Sequence, residues 1–349
     1  MDPDSEPPEP GRPADPGWHG ATGGHAFTHP AVFYRDTPGY LAATVPFILG
    51  GHARDEPVAV AVPGPNLRVI QHEHAARGGR VEQVQWLDMT DAGRNPGRII
   101  PSVLRAFADR HHGRRVRIIG EPIWAERSHE EYPACVQHEA LINTAFDNRP
   151  ATILCLYDAH RLSPVALADA AATHPILVEA DQSRHQWRPS PAYAPDLIVS
   201  TYNQPLAVPD TAEEFLPVAT GQLSRIRQWA ARLARDAGLL VERIHDIVFV
   251  VTELVTNSIE HGAGKPRLLS WATDAALIFQ TFNLGGLTDP LVGRRPAVSG
   301  QDRGRGVLAV NNLADLVRVH TSRDHTTIRA YFHRPSTTNP PPRRALRPR

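Results

Sequence analysis

Two cysteines in 349 residues, Cys135 and Cys155, are too few for a disulfide framework. Cys155 sits inside the apolar run ATILCLY, which predicts a buried, reduced thiol. No run approaches the roughly 18 to 20 apolar residues of a membrane span. Excess charge is missing too: 37 basic residues face 37 acidic ones. Bulk electrostatics therefore give no reason to expect nucleic acid or an anionic membrane as a partner. The opening residues, MDPDSEPPEPGRPADPG, are acidic and proline-rich without an apolar centre, so they read as a disordered lead-in and not as a signal peptide. A cytoplasmic protein is the expectation.

What is present is a globular composition, 41% hydrophobic and 21% charged, in a chain long enough for two domains. The 33 prolines crowd the termini and the interval 164–217, where they mark linkers. The tail NPPPRRALRPR is basic and proline-rich, as either a disordered end or a docking arm would be.

Between the ends, two patterns alternate. A helix is predicted over 37–53, then a buried strand at PVAVAVP, a strand at VEQVQWLD and a helix near 98–112. RRVRIIGEP gives a third strand, 130–146 a helix, ATILCLYD a fourth strand and LADAAATHP a short helix, with PILVE returning toward the sheet edge. Short β-rich runs alternating with longer helices predict a three-layer, mostly parallel α/β domain over 24–185, after a lead-in of 1–23. A low-regularity bridge is expected over 186–215. The second domain, 216–334, opens with two amphipathic helices; Leu223, Ile226, Ala230, Leu233 and Ala237 set the period of the first, and Gly238 stops it. Strands at PRLLSWAT, ALIFQTF, VRVHTS and HTTIRAYFHR, with a helix at VLAVNNLADL, predict a two-layer α/β sandwich. Residues 335–349 form the tail.

The second of those helices carries ELVTNSIEHG, which places Glu253, Asn257 and His261 four apart on one face. A solvated helix face has the same pattern. The glycine loops that follow shift the reading toward phosphate chemistry. In GQDRGRGVLAVNNL, Gly304 and Gly306 lead into a helix start, where free N–H groups favour an anion. Asn257 could offer its carboxamide oxygen to Mg²⁺, and Glu253 could orient or deprotonate a nucleophile.

The order ELVTNSIEHG, NLGG, GRGVLAVNNL resembles the ATP-binding fold of gyrase, Hsp90 and the histidine kinases, and within it the bacterial anti-sigma-factor serine kinases. The resemblance covers nearly all of 216–334. It implies ATP and Mg²⁺ as cofactors, Asn257 as the magnesium residue and Glu253 as the base. It also implies His261 near the phosphates, and Arg303, Gly304, Arg305 and Gly306 in the lid over them. The adenine-reading Asp-x-Gly of the family corresponds here to Asn283, Leu284 and Gly285. Asparagine keeps an acceptor oxygen but loses the charge, which weakens the contact by about 1 kcal/mol, near fivefold in affinity. His245–Asp246 lies inside the fold itself, too close to Glu253 to act as a phosphate-accepting histidine, so it reads as surface.

In the first domain, PGPNLRVI places a glycine-containing loop after a strand but lacks G-x-x-x-x-G-K-[ST] and any lysine, which argues against nucleoside triphosphate hydrolysis there. Asp158, at a strand end, reads as a capping or surface group. The segments HAFTHPAVFYRDTPGYLAATVPFILGG, IIGEPIW and HEALINTAF with ILCLYD resemble the methanogen/methylotroph-type sensory (MEDS) domain, which looks like a degenerate RecA-type core. The resemblance implies a small-molecule pocket, for which the candidates are His25, His29, Tyr34, Glu121, Trp124, Glu139 and Asn143. Glu121 follows a strand and a glycine, where open α/β sheets meet ligands. His25 and His29 have no visible third partner for a closed zinc site.

The pairing of the two domains resembles actinobacterial anti-sigma-factor regulators. That implies a regulator, dimeric through its kinase-like domain, that sequesters a sigma factor or phosphorylates a serine of an antagonist protein, the added charge weakening docking. A non-catalytic binding switch, motivated by Asn283, is the alternative.

Overall fold

The structure is a computed structural model, and it describes residues 27–180, 185–216, 218–262, 264–297 and 305–335. The described residues form two compact units, one of 27–94 with Ile99–Tyr202, the other of Asn95–Arg98 with those from Asn203 to 335.

Along unit 1 run β1 (Phe27–Thr28), β2 (Pro30–Tyr34), α1 (Thr37–Ala53), β3 (Val58–Val62), α2 (Gly64–Ala76), β4 (Val84–Asp88), α3 (Met89–Ala92), α4 (Ala106–Arg110), β5 (Val116–Gly120), α5 (Tyr132–Ala145), β6 (Ala151–Asp158), α6 (Pro164–Thr173), β7 (Ile176–Ala180), β8 (His185–Pro189) and α7 (Pro195–Thr201). The sheet order is β4-β3-β5-β6-β2-β7-β8, with β1 also on β6. Every pairing is parallel except the last, β7 with β8. β2, β3 and β5 are buried along their whole length, which explains why PAVFY, VAVAV and VRIIG are continuous and not alternating. This is the mostly parallel α/β domain expected.

Several local expectations differ. The predicted loop after β3 is absent: α2 begins at Gly64, with proline in its first turn, where a missing N–H costs nothing. The helix expected near 98–112 starts as a π-helical stretch, Ile99–Arg105, before α4. PILVE is β7, one strand in from the edge, which β8 occupies. The stretch 186–215, expected as an irregular bridge, contains most of β8, all of α7 and a short strand of unit 2. Proline misled the reading there, because Pro195 opens α7 at its first helical positions.

Unit 2 contains β9 (Glu213–Phe215), α8 (Leu223–Asp236), α9 (Val241–His261), β10 (Arg267–Ala272), β11 (Ala276–Leu284), α10 (Arg305–Leu313), β12 (Leu316–Thr321) and β13 (His325–His333). The sheet is antiparallel throughout, in the order β12-β13-β11-β10-β9. Ile226, Ala230 and Ala234 of α8 and Ile247, Val251 and Leu254 of α9 share one core with Leu268, Phe279, Ala330 and Phe332 of the strands. The helices thus cover one face of the sheet, as the predicted sandwich requires. Arg243 ties the base of α9 to the far end of the unit, donating to the Leu313 carbonyl at 2.9 Å and pairing with Asp246 at 2.8 Å and Asp315 at 2.7 Å. Asp246 is therefore held in an ion pair beside the exposed His245. Among the described residues no helix is long and apolar enough to cross a membrane.

Candidate functional site

In unit 2 the helical period of α9 stacks Glu253 and Asn257 on one side while Leu254, Val255 and Ser258 turn into the core. The first turn of α10 lies directly against that pair. A Cβ built on Gly306 would stand 2.5 Å from Glu253 Oε2 and 3.0 Å from Asn257 Nδ2, so glycine lets the helix backbone meet both side-chain ends without displacing them. Asn257 Nδ2 is buried, with no hydrogen-bond partner among the described residues. His261 ends α9 one turn further on, exposed. Arg305 is the exposed first residue of α10, and Arg303 and Gly304 lie outside the described residues.

Asn283, near the end of β11, faces the last turn of α9. Its Oδ1 accepts from Ser258 Oγ at 3.5 Å and its Nδ2 donates to the Leu284 carbonyl at 3.4 Å, both long contacts that leave the amide loosely held. Gly285 has φ +101°, a conformation that favours glycine, and its N–H donates to Asp324 O at 2.8 Å. Thr326 Oγ1 donates to the Gly285 carbonyl at 2.8 Å. Ser258, Thr326 and the buried Thr281, whose hydroxyl has no partner among the described residues, were missed in the sequence. Their signal is a hydroxyl recurring in otherwise apolar segments.

Unit 1 divides its predicted pocket residues between two places. Tyr34, Glu121 and Trp124 line a cavity of about 560 Å³ together with Tyr40, Asn66 and Asp158. It opens at the carboxyl ends of β2, β3, β5 and β6, where parallel sheets meet ligands. Glu121 is 2% exposed. It accepts from Tyr34 at 2.9 Å, from Tyr40 at 3.1 Å, and from Asn66 at 2.9 and 3.1 Å. Burial raises its pKa to about 7; the bonds from Asn66, Tyr34 and Tyr40 oppose the rise, and the charge of Asp158 adds to it. Burial and the neighbouring Glu121 in turn push both tyrosines above their usual range. Tyr40 and Asn66 were not anticipated from sequence.

His29, Glu139 and Asn143 do not line that cavity, so the candidates do not share one pocket. Glu139 and Asn143 project from α5 toward His29, in the gap between β1 and β2, beside Cys155 of β6 and His174 at the end of α6. Donor atoms of His29, Glu139, Cys155 and His174 all lie within 4.8 Å of one another, and all four residues are buried. Burial, with His174 alongside, lowers the pKa of His29 to about 4. Burial would raise Glu139, but the hydrogen bonds and charge that His174 and His29 would supply once protonated outweigh it and hold the carboxyl below its usual range. Burial and Glu139 push the Cys155 thiol up. Sequence shows no third partner beside His25 and His29; the fold gives His29 three neighbours from distant parts of the chain. His25 lies outside the described residues.

Two family models match the chain: the methanogen/methylotroph, DcmR sensory domain (MEDS) over residues 28–175, and the histidine kinase-like ATPase domain over residues 216–332. No curated protein matches. Among solved structures, a chain of the SiaB–SiaC complex from Pseudomonas aeruginosa is similar at 16% identity and a TM-score of 0.28, over 35% of this chain and 89% of that one. A MEDS sensory domain followed by a histidine kinase-like ATPase domain is therefore what this chain carries.

Proposed function

We propose that the protein is a cytoplasmic anti-sigma-factor-type regulator whose ATPase-like domain binds ATP with Mg²⁺ and whose sensory domain tunes it. The observation that carries this reading is the seating of the first turn of α10 on Glu253 and Asn257 through Gly306. A helix start over a carboxylate and an orphaned carboxamide suits a magnesium-bound polyphosphate. Asn257 would hold the ion, and Asn283 and Gly285 would meet the adenine. His261, Arg303, Gly304, Arg305 and Gly306 would meet the phosphates. Magnesium, when bound, supplies positive charge against the phosphates. Glu253 would take the proton of a serine hydroxyl on an antagonist protein.

The outer side of α9 supports a protein partner, a sigma factor, its antagonist or a second copy: Val241 is 63% exposed and Phe249 45%. In unit 1, the aromatic walls around Glu121 suit a small organic molecule with a hydrogen-bond donor.

Calorimetric titration of ATP and Mg²⁺ into the protein tests the reading. Micromolar binding that Asn257→Ala abolishes is the expected outcome; absence of heat in the wild type refutes it. A second reading, a binding switch without catalysis, is favoured by the loosely held, uncharged Asn283. Transfer of labelled phosphate to a serine-bearing antagonist would eliminate that second reading.

A further inference from the structure

Unit 1 also holds a fully buried cluster of polar side chains, separate from the cavity around Glu121. His29 Nε2 and His174 Nε2 approach the same oxygen, Glu139 Oε2, at 3.4 and 3.2 Å, and Cys155 Sγ lies 3.4 Å from His29 Nε2. The two imidazole rings are 4.0 Å apart between centroids. His29, Glu139 and His174 are 0% exposed and Cys155 is 1% exposed.

The outer nitrogens of both rings are already committed. His29 Nδ1 faces Asn143 Oδ1 at 3.1 Å, and that amide is fixed the right way round because its Nδ2 donates to the Thr173 and Ala140 carbonyls at 2.9 and 3.1 Å. His174 Nδ1 faces the Ala170 carbonyl at 2.8 Å and the Thr173 hydroxyl at 2.9 Å, whose own proton goes to the Asp169 carbonyl at 2.9 Å. These partners are acceptors, so each Nδ1 carries the proton. In the neutral rings each Nε2 then presents a lone pair to the centre. A carboxylate also presents only lone pairs. Glu139 Oε1, Glu139 Oε2 and His174 Nε2 accordingly have no hydrogen-bond partner among the described residues. The single thiol proton of Cys155 can go to His29 Nε2 or to Glu139, so it serves one acceptor and leaves the other lone pairs without a donor. Unsatisfied groups this deep are costly unless something electropositive joins them.

We propose that His29 Nε2, a Glu139 carboxylate oxygen, Cys155 Sγ and His174 Nε2 bind one divalent transition metal ion of the zinc type. Four-coordinate sites with such ligands have bonds of about 2.0 to 2.3 Å, which puts neighbouring donor atoms about 3.3 to 3.6 Å apart at the tetrahedral angle. The three close separations, 3.2 to 3.4 Å, already approach that span. Charge also closes: a dication balances one carboxylate and one thiolate beside two neutral imidazoles. Binding converts the Cys155 thiol to thiolate and releases its proton to solvent. With four protein ligands the site is closed, and it would fasten the β1–β2 junction, α5, β6 and the end of α6 to one another. Asn143 is a positioning residue that orients His29 from outside the ligand set.

The full-length chain, freed of any affinity tag and stripped with chelator, is titrated with Co²⁺ while its absorption spectrum is followed. One equivalent per chain, with intense ligand-field bands of a tetrahedral ion and a thiolate-to-cobalt charge-transfer band, is expected. Cys155→Ser should remove the charge-transfer band and Cys135→Ser should keep it; Asn143→Ala should weaken affinity about 10- to 100-fold. The chain has 18 histidines, so cobalt bound without a thiolate band in the wild type is adventitious and overturns the proposal. A band that survives Cys155→Ser overturns it as well. Should that variant not fold, the wild-type spectrum decides alone. Buried imidazolium–carboxylate pairing in place of a metal would appear as a wild type that takes up no cobalt.

Discussion

Glu121 and Glu139 are both buried carboxylates of unit 1, yet their surroundings push them in opposite directions. Glu121 meets hydroxyl and amide donors, which do not offset the loss of water, and its carboxyl rises to about 7. Glu139 meets two imidazoles, whose protonated forms would offset it and so hold its carboxyl below the usual range. Burial alone therefore does not set a carboxyl's state; what sits beside it does. The first arrangement leaves an acid that can exchange its proton with a ligand in an open cavity. The second leaves a fixed negative charge in a closed cluster.

Removing each acid should separate the two. Glu139→Ala leaves a void and two lone pairs without a centre, and should lower the unfolding free energy by about 3 kcal/mol in urea titrations. A loss no larger than that of the near-isosteric Glu121→Gln would break the contrast.

The second effect depends on pH. The pKa of Glu121 is about 7 when folded against 4.5 ordinarily. Below 4.5 both states are protonated and the group costs nothing; as pH rises to 7 the unfolded chain releases its proton first, so stability falls, by up to about 3 kcal/mol, and then levels off. Glu139 has the opposite sign: its contribution is present above the ordinary carboxyl range and is lost only as pH falls below it. His29, held near 4, also costs stability on the acid side. The reading is therefore the difference between wild type and Glu121→Gln, measured by denaturant titration from pH 4.5 to 8. It should slope through the window and be flat above it; a flat difference throughout would place Glu121 among ordinary acids.

How far sequence reached follows the same physics. β3 and β6 were legible because strands buried on both faces are unbroken apolar runs. α2, α7 and β8 were not, because Gly64, Pro65, Pro189 and Pro195 read as breakers, although proline in a helix's first turn loses no hydrogen bond. Glu253 and Asn257 were legible because helical spacing alone brings them together. The His29 cluster was not, since its members come from four elements that only the parallel sheet and its covering helices bring into contact.

Glu253 is the third case, a half-buried acid whose carboxylate end a Cβ at Gly306 of α10 would displace. Gly306→Ala should leave stability nearly unchanged, because alanine favours the helix by about 0.5 to 1 kcal/mol while its methyl displaces only the mobile ends of Glu253 and Asn257. ATP affinity should nevertheless fall roughly tenfold, about 1.4 kcal/mol, in the calorimetric titration. Equal losses of folding and binding would show that the glycine serves packing alone.

The smallest effect is the most specific. Asn283 Oδ1 is turned toward Ser258 at 3.5 Å, a contact too long to fix the amide. Asn283→Asp places an acceptor in either rotamer and adds charge, so the contact to an adenine amino group should gain about 1 kcal/mol, near fivefold in affinity. GTP, whose base offers a carbonyl oxygen where adenine has its amino group, should gain nothing and should be repelled by the carboxylate. A variant that tightens ATP and GTP alike would mean that position 283 does not read the base. A variant that tightens ATP alone would make the native asparagine a deliberate weakening of a working site, which is what a regulator tuned to release its nucleotide would need.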